Sequence, residues 1–197
     1  MKRIFVSSTF RDMQYERDLF HTVITPKLNG YARKYGESLS FCDLRWGVNT
    51  SELESEEGAK KVLSVCLNEI DRCKPYMVVL LGDRYGWVPD QRLIKDAADK
   101  KHFDMDDPEK SVTALEIEYG ALRDESQLSR TLFYFREFEN EIPAEYGSSD
   151  EADALRLKEL KERIVRIAGD RVRTYQVKID HDGKTLLGLD SFADRVV

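Results

Sequence analysis

One uninterrupted run of apolar residues constrains the fold of this chain more than any other feature. The run is "YMVVLLG", Tyr76–Gly82, and no polar side chain interrupts it between Met77 and Leu81. A strand that faces water on one side alternates apolar and polar residues, whereas a central strand of a parallel sheet is covered on both faces and is apolar throughout. The run is therefore predicted to be a central parallel strand with helices packed on both faces of its sheet.

Strand-like and helical segments alternate along the chain. The other predicted strands are Arg3–Ser7, Ser38–Asp43, Arg130–Arg136 and Arg171–Lys178. The predicted helices are Asp12–Tyr35, Glu57–Cys73, a short one around Leu93–Ala98, one in "SVTALEIEYGAL", Asp150–Ala168 and one in "GLDSFADRVV". Pro26 is expected to kink or break the first helix, and Gly36 to end it. This alternation predicts an α/β fold in which a parallel five-stranded sheet carries helices on both faces.

The carboxyl ends of parallel strands meet at one rim, where open α/β sheets usually bind their ligands. The predicted rim collects Ser7–Arg11, Asp43–Gly47 and Gly82–Trp87. Its hydroxyl residues Ser7, Ser8 and Thr9 stand where the first strand gives way to the first helix, a place that suits a phosphate or a ribose. The alternative is that these residues only cap the helix and form a turn.

Two loops of this rim, "LRWGV" and "DRYGW", share an arginine, an aromatic residue and a glycine. An aromatic ring beside an arginine can stack on a base while the guanidinium holds a phosphate or a carboxylate. Arg45, Trp46, Arg84 and Tyr85 are therefore candidate binding residues. The alternative is that the aromatic rings pack the loops onto the core.

Two glutamates of the helix in "SVTALEIEYGAL" are candidates for chemistry. If Leu115, Tyr119 and Leu122 face the core, Glu116 and Glu118 flank that stripe on opposite sides, so that only one of them enters a cleft. A carboxylate in a partly apolar cleft can stabilise the oxocarbenium-like transition state of glycosidic bond cleavage. The alternative is a solvated helix charge, which is ordinary for glutamate.

The composition of the chain and the absence of several sequence motifs argue against some classes of function. The net charge of −6 over 197 residues argues against a general nucleic-acid binder. The three cysteines lack paired or zinc-type spacing, so no disulfide framework and no metal site are expected and the chain is predicted to be cytoplasmic. No dinucleotide fingerprint or Walker P-loop is present, and no apolar run is long enough to predict a membrane span.

Four motifs in order, "VSSTFRDMQYERD", "DLRWGV", "VCLNEIDRCKPYMVVLLGDRYGWVP" and "SVTALEIEYGAL", resemble one family. It is the TIR-like domain at the N-terminus of NACHT/STAND ATPases, found in bacterial anti-phage sensors and in animal proteins of the telomerase-associated and nephrocystin type. The likeness is strong over about the first 125 residues. It implies a flavodoxin-like TIR fold over residues 1–180, with 181–197 beginning a linker or helix toward a NACHT-type module.

The resemblance also implies an activity. Active TIR domains cleave NAD⁺ into nicotinamide and ADP-ribose products on oligomerisation, so the implied function is an NAD⁺ hydrolase effector of a STAND-type immune or defence protein. NAD⁺ would be its substrate, and it would need no cofactor. The motif assigns the essential helix glutamate to Glu116, with Glu118 as the fallback; Thr113 and Ala114 stand where many TIR domains carry a tryptophan. The implied nucleotide site comprises Ser7, Ser8, Thr9, Phe10, Arg45, Trp46, Arg84 and Tyr85.

Two other functions fit the same sequence. The domain could be a non-catalytic adaptor that self-associates through a full-length STAND protein, or an enzyme akin to deoxyribosyltransferases that acts on nucleosides. Neither alternative needs nucleic acid or membrane as a partner. An enzyme requires Glu116 to face a cleft beside Ser7–Phe10, whereas an adaptor could hold Glu116 in a salt bridge to Arg123 or Arg11 with no cavity.

Overall fold

A mostly parallel sheet of six strands forms the centre of the protein. The structure, a computed structural model, describes residues 1–44, 55–104, 107, 109–148, 150–181 and 185–197. The strands are β1 (Lys2–Ser7), β2 (Leu39–Cys42), β3 (Met77–Leu81), β4 (Thr131–Phe138), β5 (Val172–Ile179) and β6 (Leu186–Leu187). They lie in the order β2-β1-β3-β4-β5-β6, and only β6 runs antiparallel to its neighbour. The α/β class and a mostly parallel sheet match the prediction, but the sheet has six strands where five were predicted.

The helices mostly begin at side-chain caps. They are α1 (Gln14–Leu19), α2 (Thr25–Ala32), α3 (Glu56–Cys73), α4 (Gln91–Lys100), α5 (Val112–Ile117), α6 (Glu125–Leu128), α7 (Glu151–Ala168) and α8 (Leu189–Val196). Ser55, Asp90, Ser111, Asp124 and Asp150 each accept a hydrogen bond from a backbone N–H of the first turn. These bonds satisfy donors that the helix itself leaves free, which fixes where each helix starts.

Pro26 does not end the first helical segment. A π-helical turn, Phe20–Ile24, joins α1 to α2 just ahead of this proline, and the side chain of Thr25 donates to the carbonyl of Phe20. A wider turn at this point accommodates a residue that lacks the N–H of a regular helix. The segment ends at Gly36, whose φ of 70° is readily adopted only by glycine, as predicted.

Helices cover both faces of the sheet, which explains the apolar run. Along β3 the side chains of Met77, Val79 and Leu81 join the core beneath α3, α4, α5 and α7. Val78 and Leu80 point the other way, into the core that α1 and α8 close. Because both faces are buried, β3 carries no polar residue, as predicted.

The last segment of the chain packs on the sheet. β6 pairs with β5, and Phe192 of α8 is fully buried, with its ring centroid 4.6 Å from that of Tyr175. The proposed boundary at residue 180 remains a prediction. Among the helices of the described residues, none has the length and apolar character that crossing a bilayer requires.

Candidate functional site

A cavity of about 500 Å³ opens at the carboxyl ends of β1 and β3. Five parts of the chain wall it: the loop after β1, the loop after β3, the helix α3, the helix α5, and the segment that leads into the first turn of α7. Its lining residues are Ser8, Thr9, Phe10, Arg11, Val62, Cys66, Arg84, Tyr85, Gly86, Trp87, Val112, Thr113, Glu116, Ser148 and Asp153. The cavity therefore lies at the rim where a ligand site was predicted.

Glu116 is the buried carboxylate of this cavity. Its side chain lines the wall, the residue is 4% exposed, and its Oε2 accepts a hydrogen bond of 2.7 Å from Ser7 Oγ. Burial raises the pKa of Glu116 to about 7, against the opposing effects of the hydrogen bonds from Ser7 and Cys66 and of the charge of Arg17. Near neutral pH the carboxyl group is therefore poised between its charged and neutral forms.

The helix that carries Glu116 packs closely on the sheet one turn further on. After α5 the helix widens into a π-helical turn, Glu118–Leu122. Within that turn a Cβ on Gly120 would lie 2.8 Å from Sδ of Met77, the first residue of β3. A larger residue at position 120 would therefore require the side chain of Met77 to move.

Glu118 has a different environment. Both of its carboxylate oxygens accept hydrogen bonds from the guanidinium of Arg163, at 2.6 and 2.8 Å, and Lys110 Nζ lies 3.3 Å from Oε2. These cations hold the pKa of Glu118 below its ordinary value although the residue is buried. Of the two glutamates, only Glu116 lines the cavity, which agrees with the geometric prediction; a catalytic role for it remains a prediction.

The three hydroxyl residues at the end of β1, Ser7, Ser8 and Thr9, donate their hydrogens to the protein itself. Ser7 donates to Glu116, Ser8 Oγ donates to the carbonyl of Thr9 at 2.9 Å, and Thr9 Oγ1 donates to Oδ1 of Asp12. Ser8 and Thr9 line the cavity, whereas Ser7 stands behind Glu116. A ligand in the cavity would thus meet the hydroxyl oxygens of Ser8 and Thr9 as hydrogen-bond acceptors. Ser7 does not line the cavity and instead donates its hydrogen bond to Glu116.

The remaining predicted binding residues divide into two groups. Phe10, Arg84 and Tyr85 line the cavity; Arg84 Nη1 donates to the carbonyl of Glu145 at 2.9 Å, and Tyr85 is 5% exposed. Arg45 and Trp46 lie outside the described residues. The structure thus brings the predicted β1 and β3 loop residues together around Glu116.

Several lining residues were not predicted. One is Cys66, and burial beside the Glu116 carboxylate raises the pKa of its thiol well above the ordinary value. Ser148 and Asp153 also line the cavity, as does Arg11, which belongs to the predicted rim but not to the predicted nucleotide site. Cys66 and Asp153 have ordinary helical surroundings in the sequence and carry no local signal of a site. Arg11 lies inside the first motif, so that motif was the signal available for it.

The side chains that line the cavity indicate what kind of ligand it can bind. Phe10, Tyr85 and Trp87 give the walls apolar surface, Arg11 and Arg84 bring positive charge, and Glu116 is the more deeply buried of two carboxylates, the other being Asp153. In the part of the chain that the structure describes, no three His, Cys, Asp or Glu side chains come together as metal ligands. The site suits a ligand with flat rings, an anionic part and a centre that develops positive charge.

The fold and the site define a class: an open α/β domain with a carboxylate-bearing cavity at the ends of its parallel strands. Within that class, the chain belongs to the family described as "Domain of unknown function (DUF4062)", whose model matches residues 3–182.

Its relatives are long, multidomain proteins. A TPR repeat-containing protein of Dictyostelium discoideum is 30% identical over 83% of this chain, and telomerase protein component 1 of Rattus norvegicus is 35% identical over 81%. NACHT and WD repeat domain-containing protein 2 of Mus musculus is 35% identical over 43% of the chain. The chain spans only 10%, 6% and 5% of these three proteins, respectively. No solved structure matches the chain.

Proposed function

We propose that this domain is a TIR-like effector module of a STAND-type protein and that it hydrolyses NAD⁺. The observation that carries the proposal is the placement of Glu116: a buried carboxylate at the wall of a rim cavity, bonded to Ser7 and free of any ion pair with Arg11 or Arg123 in the described structure. The guanidinium of Arg123 instead lies 4.3 Å from the ring centroid of Phe103.

The fold and the relatives support the same class. The strand order β2-β1-β3-β4-β5 is the flavodoxin-like order, in which ligands bind at the point where the order reverses, between β1 and β3. The cavity lies at that point. Relatives that carry NACHT in their names are consistent with a domain that works inside a larger, oligomerising ATPase.

The proposed reaction breaks the bond between the nicotinamide nitrogen and C1′ of its ribose. The electron pair of that bond leaves with nicotinamide, which departs neutral, and positive charge develops on the ribose. The ionised Glu116 stabilises this charge, and water adds to C1′ and releases a proton, giving ADP-ribose. Burial of the carboxylate in an apolar wall strengthens its interaction with the developing charge.

Assembly would switch the activity on. A net charge of −6 makes isolated domains repel one another, so that turnover would depend on the full-length protein to bring them together. We therefore propose NAD⁺ and further copies of the same protein as the partners.

The test is NAD⁺ consumption by the domain clustered on a scaffold, with wild type compared with Glu116→Gln and Glu118→Gln. We expect wild-type turnover that is lost only with Glu116→Gln. Loss confined to Glu118→Gln would assign the centre to the other carboxylate. No turnover by folded, clustered wild type would favour the adaptor, and cleavage of nucleosides but not NAD⁺ would favour the deoxyribosyltransferase-like alternative.

A further inference from the structure

A buried arginine, Arg17, lies behind the cavity wall and has no role in the reaction proposed above. Arg17 is 1% exposed and is held on three sides. Its Nε donates to Ser8 Oγ at 2.7 Å, its Nη2 donates to the carbonyl of Ser8 at 2.9 Å, and its Nη1 pairs with Asp43 at the end of β2. Its guanidinium also lies 4.8 Å from the ring centroid of Phe10.

Three of these four contacts are with the cavity wall. Ser8 and Phe10 line the cavity, and both touch the same guanidinium. A guanidinium presents its five donors in a rigid planar fork, which fixes the directions of its hydroxyl, carbonyl and carboxylate partners, whereas an ammonium group is a point charge on a flexible stem. Arg17 therefore fixes the shape of the β1 loop relative to the end of β2.

The same cation is linked to Glu116 through two adjacent residues of the β1 end. Arg17 Nε donates to Ser8 Oγ, and the preceding residue, Ser7, donates to Glu116 Oε2 at 2.7 Å. The groups that face Glu116 are Ser7 from β1, Cys66 from α3 and the charge of Arg17 from α1, all of which favour the ionised carboxylate. Other charged residues at the cavity are Arg11, Arg84 and Asp153. A buried positive charge is weakly screened, so its effect on a neighbouring carboxyl group persists at physiological salt.

We propose that Arg17 is the positioning residue of this site, which shapes the wall made by Ser8 and Phe10 and keeps Glu116 available as a carboxylate. Any effect of Arg17 on NAD⁺ turnover rests on the proposed function. Its electrostatic effect on the ionisation of Glu116 applies whether or not the protein turns over NAD⁺.

The electrostatic part is tested by titrating the carboxyl ¹³C signal of Glu116 by NMR, with Glu116→Gln to assign the signal. In Arg17→Gln we expect the titration midpoint to rise by roughly 0.5 to 1 pH unit, less than the shift of a directly paired carboxylate. Arg3→Gln is the matched control: Arg3 is also on the β1 side of the fold but pairs with Glu69, and its loss should leave the midpoint unchanged.

A second variant tests the same prediction if Arg17→Gln does not fold. Arg17→Gln leaves Asp43 buried without its main partner, which is strongly destabilising. The double variant Arg17→Gln with Asp43→Asn removes both charges and should also raise the midpoint, whereas Asp43→Asn alone should not. A wild-type midpoint in the folded double variant would overturn the proposal.

Arg17→Lys separates charge from shape. The lysine retains the positive charge, so the titration midpoint of the Glu116 carboxyl group should stay near the wild-type value. It lacks the planar guanidinium that bonds Ser8. If the proposed function holds, the KM for NAD⁺ should rise roughly fivefold with kcat little changed, because the wall loses about one hydrogen bond of ordinary strength. An unchanged KM of the active Arg17→Lys variant would contradict the shaping role of Arg17. Absence of NAD⁺ turnover by the wild-type protein would instead count against the proposed function, and the NMR titration would then decide the effect of Arg17 on Glu116.

Discussion

Ser7 Oγ donates a 2.7 Å hydrogen bond to Glu116 Oε2 and so joins the end of the first strand to a helix 109 residues further along the chain. Both residues are buried, with Ser7 at 0% and Glu116 at 4% exposure. The bond stabilises the ionised carboxylate where burial opposes it.

Removing this donor should therefore raise the pKa of Glu116 further. In Ser7→Ala we expect the carboxyl titration midpoint to move upward from about 7 by roughly one pH unit, since the charged form loses its main hydrogen bond. The ¹³C titration measures it. Ser129→Ala, which removes an exposed hydroxyl bonded to the Ser126 carbonyl, is the control and should change nothing. A downward shift in Ser7→Ala would show that the hydroxyl does not stabilise the carboxylate.

The ionised carboxylate of Glu116 should lower the stability of the folded protein above about pH 7. Its pKa is raised from 4.5 to about 7 in the folded protein, so the folded state binds the proton more tightly. The stabilisation that comes from protonated Glu116 is fully present below about pH 4.5 and is lost as the pH rises to about 7, by about 3 kcal/mol in all at 1.4 kcal/mol for each tenfold change in proton affinity. Glu116→Gln lacks this titration and still accepts from Ser7.

Urea unfolding at pH 5 and pH 8 checks this prediction. The advantage of Glu116→Gln over wild type should grow between the two values. An advantage that is the same at both pH values would contradict a raised pKa.

Glu118→Gln should behave in the opposite way. Ion pairs with Arg163 and Lys110 lower the pKa of Glu118, so its stabilising effect is present at neutral pH and is lost as the pH falls toward and below its folded pKa. We expect the variant to be about 1–3 kcal/mol less stable at pH 7, with a smaller deficit in acid. Urea unfolding across this range measures it, and a deficit that grows in acid would be inconsistent with the pairs.

If the proposed function holds, the turnover of NAD⁺ should depend on the ionised form of Glu116. The rate should then rise with pH through about 7 and level off above it, and in Ser7→Ala the rise should move to higher pH. A pH–rate profile of the clustered protein between pH 5.5 and 9 provides the measurement. A rate that falls through the same range would mean that the protonated carboxyl is the active form.

Gly82→Ala should damage the core next to the site. A Cβ at this position would lie 2.5 Å from Nη2 of Arg136 and 2.9 Å from Oδ2 of Asp12, and both of these side chains are fully buried. We expect a loss of about 2 kcal/mol or more, because neither partner has room to move. Gly30→Ala is the matched control: nothing lies within 4 Å of its Cβ, and the variant should gain about 0.5–1 kcal/mol of helix stability. Thermal unfolding compares the two, and equal effects would contradict this account.

The fold could largely be predicted because its signals are local. The apolar run of β3, the glycine stop at Gly36 and the cap at Ser111 each require only neighbouring residues. β6 and α6 were missed because two and four residues carry too little periodicity to stand out. α4 is longer than predicted, since its charged sequence hides the buried Leu93, Ile94 and Ala98.

The site could be predicted only in part, because its contacts join distant residues. The motifs located Glu116 and the loops after β1 and β3. They gave no indication that Arg17 reaches Ser8 and Asp43, or that Glu118 pairs with an arginine of α7, 45 residues away. Such pairings depend on how helices pack, and a single sequence does not record that.

The walls of the cavity come from five separate parts of the chain. Any molecule that fills it will hold those parts together and bind the folded state alone, so it will raise the melting temperature by an amount that grows with the logarithm of its affinity. At a hundred times its dissociation constant, a ligand adds about 2.7 kcal/mol to the free energy of unfolding. Thermal-shift screening of dinucleotides, nucleosides and their analogues can therefore identify what the site accepts in protein that is unassembled and catalytically silent.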